Sequence, residues 1–243
     1  MDYKVEKSAF LDAIVPPRTA SYSPVPNRVI VDHIQDHLRR QNIPILQESY
    51  RMNSTGNQFQ CTFVTPGTTD LGMALYITNS YDKSRKFSVG AGAVVFRCSN
   101  GLIRTDLREN FSRKHTGDIM EDVDYLIYNG IKSLRDEFDR INQDKEKLEY
   151  FTFQDVAVLH ELIGKMWLQE RVLTTSQFSI LHSHLHGNEW HTMLDEDNRL
   201  IGNPSMWDFY NCATEALKSN LPFNYVDRHV ELHNFLLDEV TRY

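Results

Sequence analysis

Cysteine is scarce in this 243-residue chain: Cys61, Cys98 and Cys212 are widely spaced and form no C-x-x-C pair. An odd, scattered set of thiols argues against a disulfide framework or a zinc ribbon and fits a reducing compartment. Long apolar runs are also missing. No stretch reaches the roughly 18 residues of a membrane span, and the opening MDYKVEKSAF has neither the charged nor the apolar region of a signal peptide. A cytoplasmic location with no membrane partner is therefore expected. The familiar catalytic signatures are absent as well: there is no G-x-S-x-G, no P-loop, no H-E-x-x-H and no G-x-G-x-x-G. Gly90-Ala91-Gly92 lacks the third glycine and the context of a dinucleotide site. Asp195-Glu196-Asp197-Asn198 lacks the glycine and terminal Glu of an EF-hand loop. Cys98 beside Arg97 is the one candidate thiol nucleophile, and a small Cys at a strand end reads better as packing. No catalytic residue is assigned, and repeats and low-complexity tracts are absent too.

What is present divides the chain by texture. Residues 1–27 form an arm in which Pro16, Pro17, Pro24 and Pro26 prevent any continued regular element after a short helix. Residues 28–117 read as a sheet region, opened by a helix capped at Asn27 that ends before Pro44. Strands follow at Ile45–Asn53, Gln58–Thr65, Leu71–Thr78, Phe87–Phe96 and Leu102–Arg104, with short connections that require antiparallel pairing. Asn100-Gly101 marks the last reversal. Residues 118–243 form a helical region packed on the sheet, so that the whole is one continuous domain. Its first helix runs from Asp118, with Glu121 completing a capping box. Val123, Ile127, Ile131, Leu134, Phe138 and Ile141 recur along it at helical spacing for roughly 30 residues, about 45 Å. Further helices are expected at Thr152–Thr174, Ser176–His186, Ser205–Ser219 and Asp227–Arg242. The fold class is thus α+β: an N-terminal helix and an antiparallel sheet of four to five strands, then a long helix and a helical C-terminal half.

Charge is distributed unevenly. The chain carries a net −7, yet from Asp82 to Lys114 eight cations face three carboxylates, a local +5. The cations are Lys83, Arg85, Lys86, Arg97, Arg104, Arg108, Arg113 and Lys114. An acidic protein does not coat nucleic acid with its whole surface, but one basic groove on an acidic body can hold a phosphate backbone. A solvated loop paired with the acidic helices is the alternative. Tyr50, Phe59, Phe63, Tyr76 and Tyr81 lie in or beside the strands, where they either stack bases or fill the sheet core. Among ten histidines, His33/His37, His182/His186 and His229/His233 fall at i, i+4, the spacing of a helical metal site. The candidate ligands are His182, His186, His229 and His233, against a surface or structural role; no cofactor beyond such a divalent metal is expected.

The strings FRCSNGLI and KHTG, and downstream NPSMWDFYNCATEALK and HVELHNFLLDE, resemble the phage- and plasmid-borne family of domain of unknown function 932. The likeness covers roughly Ser80 to the C-terminus and implies a mobile-element origin without an activity. The order of helix, antiparallel meander and long helix also resembles, at the level of topology, the ring-forming single-strand annealing proteins of the Red-beta, RecT and Rad-fifty-two group. That resemblance implies an oligomeric, non-catalytic single-stranded DNA-binding protein of recombination or replication, in the host cytoplasm. A metal-dependent hydrolase or nuclease using the His-rich half, and a phage structural or host-factor-binding protein, remain open alternatives. The arm's Phe10, Leu11, Ile14 and Val15 have no evident place in the sheet or bundle, and a homo-oligomer is expected in which this arm or the distal part of the long helix contacts a neighbour.

Overall fold

The computed structural model describes residues 3–96, 100–103, 112–169, 172–187, 192–220 and 222–242. A short helix α1 (Lys7–Leu11) and helix α2 (Asn27–Arg40) precede six strands: β1 (Gln47–Met52), β2 (Gln58–Thr65), β3 (Leu71–Ser80), β4 (Phe87–Val95), β5 (Asn100–Ile103) and β6 (Ser112–Arg113). Helices α3 (Ile119–Lys132), α4 (Leu134–Tyr150), α5 (Val156–Gly164), α6 (Thr175–Gly187), α7 (Met206–Leu217) and α8 (Pro222–Arg242) complete the chain, with a π-helical turn at Lys165–Gln169 after α5. The sheet runs in the order β1-β2-β3-β4-β5, every pair antiparallel, and β6 joins β4 beside its start. The α+β class and the helical second half are as the sequence predicts.

Alternation in β2 decides the layering. Phe59, Cys61 and Phe63 point to one face, where they are buried with Leu75, Ile77, Val89 and the inner residues of α2 and α3. Gln60, Thr62 and Val64 point to the other. On that face Val64, Tyr76 and Val94 pack under Tyr225, Val226 and Val230 of α8. Towards the far end of the sheet, Leu71, Ala93, Val95 and Leu102 join a third cluster with α4 to α8. Arg51 of β1, although buried, donates to Lys218 O at 2.6 Å and Asn220 O at 3.1 Å and lies 4.7 Å from the ring centroid of Tyr225. A guanidinium there serves carbonyls that the end of α7 leaves without helical partners.

Several expectations change. The single long helix is divided at Ser133, whose hydroxyl donates to Gly130 O at 2.8 Å. A serine that bonds its own backbone competes with the helical ladder. Asp118 makes no capping bond and pairs instead with Arg18 at 3.1 Å. Asn27 is the first helical residue and its amide is buried, donating to Phe10 O at 3.0 Å and accepting from Asn79 Nδ2 at 2.8 Å. Asn100-Gly101 is not a turn: both residues pair in β5, and Asn100 Nδ2 reaches Asn211 O of α7 at 3.0 Å. The helix predicted from Thr152 starts only after Asp155, whose carboxylate caps Ala157 N. Before α6 the capping contacts belong to Thr174, whose N–H and hydroxyl both bond Gln177, rather than to Ser176. The Ser205/Asp208 capping box of α7 forms as its spacing predicts. The arm also finds a place in its own chain: Phe10 is buried, 4.9 Å from the ring of Tyr50 and 5.7 Å from that of Phe59, while Ile14 and Val15 stay exposed.

Candidate anion-binding site

The basic segment is folded back on itself by the short strand β6. Phe87 pairs with Arg113 and Ser88 with Ser112. Lys86 and Lys114 are the residues immediately beyond the last pair of this ladder, Phe87 with Arg113. Neither lysine has an ion-pair partner among the described residues. Both line a cleft of about 400 Å³ with Ser21, Tyr22, Lys83, Ser84, Arg85, His115 and Thr116, and no carboxylate is among these residues.

Each wall has a local cause. The β3–β4 connection turns at Lys83, which adopts a positive φ of 63°, and is closed by Ser80 Oγ donating to Arg85 O at 3.0 Å. Asp82 lies at its base. Burial works against its charge, but hydrogen bonds from Ser84 and Gln58 outweigh this and hold its carboxyl below the usual range. The Lys83 ammonium lies 4.8 Å from the ring centroid of Tyr22. The Tyr22 hydroxyl donates towards Ser80 O and Tyr81 O at 3.2 and 3.1 Å. Burial first, then Tyr81 and Asp82 beside it, pushes that phenol up to about 12. Tyr22 is therefore a neutral floor. Arg85 is tied down, with Asp227 at 3.2 Å and Asn224 at 3.3 Å on α8.

His115 is the unusual member. Its backbone is fixed by Ser23 N donating to its carbonyl at 3.0 Å. The side chain is 5% exposed, yet neither ring nitrogen closes a hydrogen bond. The Ser23 backbone is close enough to favour the protonated ring without meeting hydrogen-bond geometry. Burial is the larger effect and lowers the imidazole's pKa. A buried polar group left without a partner costs free energy. An anion entering the cleft would meet the ammonium groups of Lys83, Lys86 and Lys114 with no carboxylate to compete for them.

Of the eight basic residues singled out by charge, Lys83, Arg85, Lys86 and Lys114 line this cleft. Arg113 points away and pairs with Asp122 of α3. Arg97, Arg104 and Arg108 lie outside the described residues. The aromatic residues of the sheet are not a stacking platform: Tyr50, Phe59, Phe63, Tyr76 and Tyr81 are all buried. Tyr22 and His115 escaped the sequence reading, one hidden in a proline-rich arm, the other noticed only within the string KHTG.

The histidine pairs separate from one another. His182 and His186 stack at 4.3 Å on α6, and His186 spends both nitrogens, on His182 O and on Asn198 Oδ1. His229 and His233 are buried on α8. His233 bridges Tyr210 Oη at 3.1 Å and Asp144 Oδ2 at 3.2 Å, whereas neither nitrogen of His229 reaches a partner at hydrogen-bond geometry. None of these four belongs to a group of three or more metal-ligating side chains among the described residues. A fold with KHTG at a cationic cleft and NPSMWDFYNCATEALK in its helical core is matched by one family model, over residues 17–235.

The chain belongs to the family described as domain of unknown function (DUF932). The match reaches well back of Ser80, into the arm that contributes Ser21 and Tyr22 to the cleft. No curated protein and no solved structure matches the chain, so the topological likeness to the annealing proteins draws no support from either comparison. No helix among the described residues is long and apolar enough to cross a membrane. Membership in DUF932 therefore identifies relatives without supplying an activity.

Proposed function

We propose that the protein binds single-stranded nucleic acid without catalysis, holding a backbone phosphate in the cleft of Lys83, Lys86, Lys114 and His115. The observation that carries this reading is that Lys83, Arg85, Lys86 and Lys114 line one cleft in which no carboxylate takes part. Cations gathered in one cleft are stabilised by an anion bound among them. A re-entrant cleft also discriminates by stiffness. Duplex DNA bends only over a persistence length of about 50 nm, while a flexible single strand can lead one phosphate into a recess. The acidic remainder of the chain opposes non-specific coating of a duplex. Annealing or a related step of recombination is the role in which such binding would serve a mobile element.

Fluorescence anisotropy with a labelled oligonucleotide tests this over a range of salt. Lys86→Ala and Lys114→Ala should each weaken binding and flatten the salt dependence, by about 0.7 in the log–log slope for every phosphate that is no longer neutralised. Absence of binding by the unaltered protein at low salt would end the proposal.

A further inference from the structure

We infer that His33, His37 and Asp124 form a binding site for a divalent transition metal of the zinc class, bridging α2 and α3. This site is separate from the cationic cleft and does not depend on the reading given to it. His33 and His37 are one turn apart on α2, so their rings project from the same face. Helix α3 crosses that face and presents Asp124. His33 approaches through Nδ1 and His37 through Nε2, so that two imidazoles on successive turns converge on one point. Each of these nitrogens lies 2.7 Å from the same carboxylate oxygen, Asp124 Oδ1. The three donor atoms fall within 4.8 Å of one another, the one such grouping of His, Cys, Asp or Glu among the described residues.

The donor set selects the ion. Two imidazoles and one carboxylate suit zinc and its neighbours, whereas magnesium and calcium want oxygen ligands throughout. Zinc bonds of about 2.1 Å to nitrogen and oxygen at tetrahedral angles place neighbouring ligand atoms roughly 3.4 Å apart. The two nitrogen–oxygen separations of 2.7 Å would have to open by less than about 1 Å to reach that spacing. Asp124 can supply this movement, because its side chain is 52% exposed, while that of His37 is held at 13% against the ring of Tyr128, 5.7 Å away. The exposed side of Asp124 and His33 leaves a fourth position to water. The ion would join helices that lie some ninety residues apart in the chain, in place of two hydrogen bonds to one oxygen.

The experiment is a titration of the full chain with Co²⁺, read by visible absorption, followed by competition with Zn²⁺ and thermal unfolding in each state. One equivalent should bind with the intense bands of a tetrahedral site, and zinc should displace it and raise the melting temperature. Asp124→Asn keeps a hydrogen-bond acceptor but loses the charge, and His33→Gln alters a half-exposed side chain; circular dichroism verifies that both fold. Each should weaken binding by at least the roughly tenfold that loss of a mere supporting partner costs. The double variant His182→Ala/His186→Ala should bind as the unaltered protein does. The inference is overturned if the unaltered protein shows no tetrahedral cobalt spectrum and no zinc-dependent stabilisation. It is overturned equally if both variants at His33 and Asp124 bind normally, or if the α6 double variant abolishes binding.

Discussion

A Cβ placed on Gly130 of α3 would lie 2.4 Å from Val89 Cγ1 of β4 and 3.3 Å from Leu75 Cδ1 of β3. The helix rests on the sheet at this point with no room for a methyl group. Alanine is worth up to about 1 kcal/mol over glycine inside a helix. Overpacking a filled core costs about 1–3 kcal/mol, and Val89 is β-branched and stiff at χ1, so it cannot swing aside. Overpacking should win. Gly130→Ala is expected to lower unfolding free energy by about 1 kcal/mol in chemical denaturation, and adding Val89→Ala should leave no further penalty from the clash.

His229 makes the fold sensitive to acid. Complete burial, with Arg51, Lys218 and His233 adding repulsion, brings its pKa down to about 3, against an opposing pull from the Gly101 backbone. The unfolded chain then binds the proton more readily than the folded one. Stability is full above the ordinary histidine value near 6.5 and is lost as pH falls from there towards 3. His115, also held down by burial, adds to the same window from its upper end. Urea unfolding between pH 7.5 and 5 should show stability declining below pH 6.5, with His229 contributing roughly 1 kcal/mol per pH unit. His229→Leu should remove most of that slope.

The extent to which these features can be read from sequence follows the range of the interactions. Strand β2 is bounded at Gln58 and Thr65 as its alternation and the preceding turn residues predict, because both signals are local. The small residues of β4 foretell a close approach, and Leu102 O would lie 2.2 Å from a Cβ on Gly92. Asn100-Gly101 misleads, since its turn propensity yields to a buried bond from Asn100 to Asn211 O, 111 residues away. In the cleft, a charge count finds Lys83, Arg85, Lys86 and Lys114. It cannot tell that Arg113 is neutralised by Asp122, or that Tyr22 comes from the arm to meet them. His33 and His37 are visible as a pair, but their third partner lies on another helix, at a separation with no local pattern.

The Tyr210–His233–Asp144 chain joins α7, α8 and α4 through buried groups, with Lys147 reaching Asp144 at 3.0 Å from outside. Deleting one partner of such a network strands the others. Asp144→Ala should therefore cost about 3 kcal/mol or more, in the range for breaking a buried pair. Asp144→Asn, which retains an acceptor, should cost less. Thermal unfolding of both variants gives the comparison, and equal losses would mean that packing rather than hydrogen bonding holds the three helices.

Arg113 and Lys114 are adjacent in sequence and supply an internal control for the nucleic-acid reading. Arg113 is paired with Asp122 and lies outside the cleft lining, while Lys114 lines the cleft together with Lys86. A pair of this exposure contributes at most about 1 kcal/mol to stability, so neither Arg113→Ala nor Lys114→Ala should prevent folding. Their effects on binding should diverge. Lys114→Ala is expected to weaken oligonucleotide affinity and to lower the salt slope by about 0.7, the value for one phosphate neutralised on a single strand. Arg113→Ala should leave slope and affinity close to those of the unaltered protein. Asp122→Ala frees the guanidinium and should, if anything, strengthen binding through one more unpaired cation. Equal losses from Arg113→Ala and Lys114→Ala would mean that binding responds to net charge alone, and the cleft would lose its claim as the site.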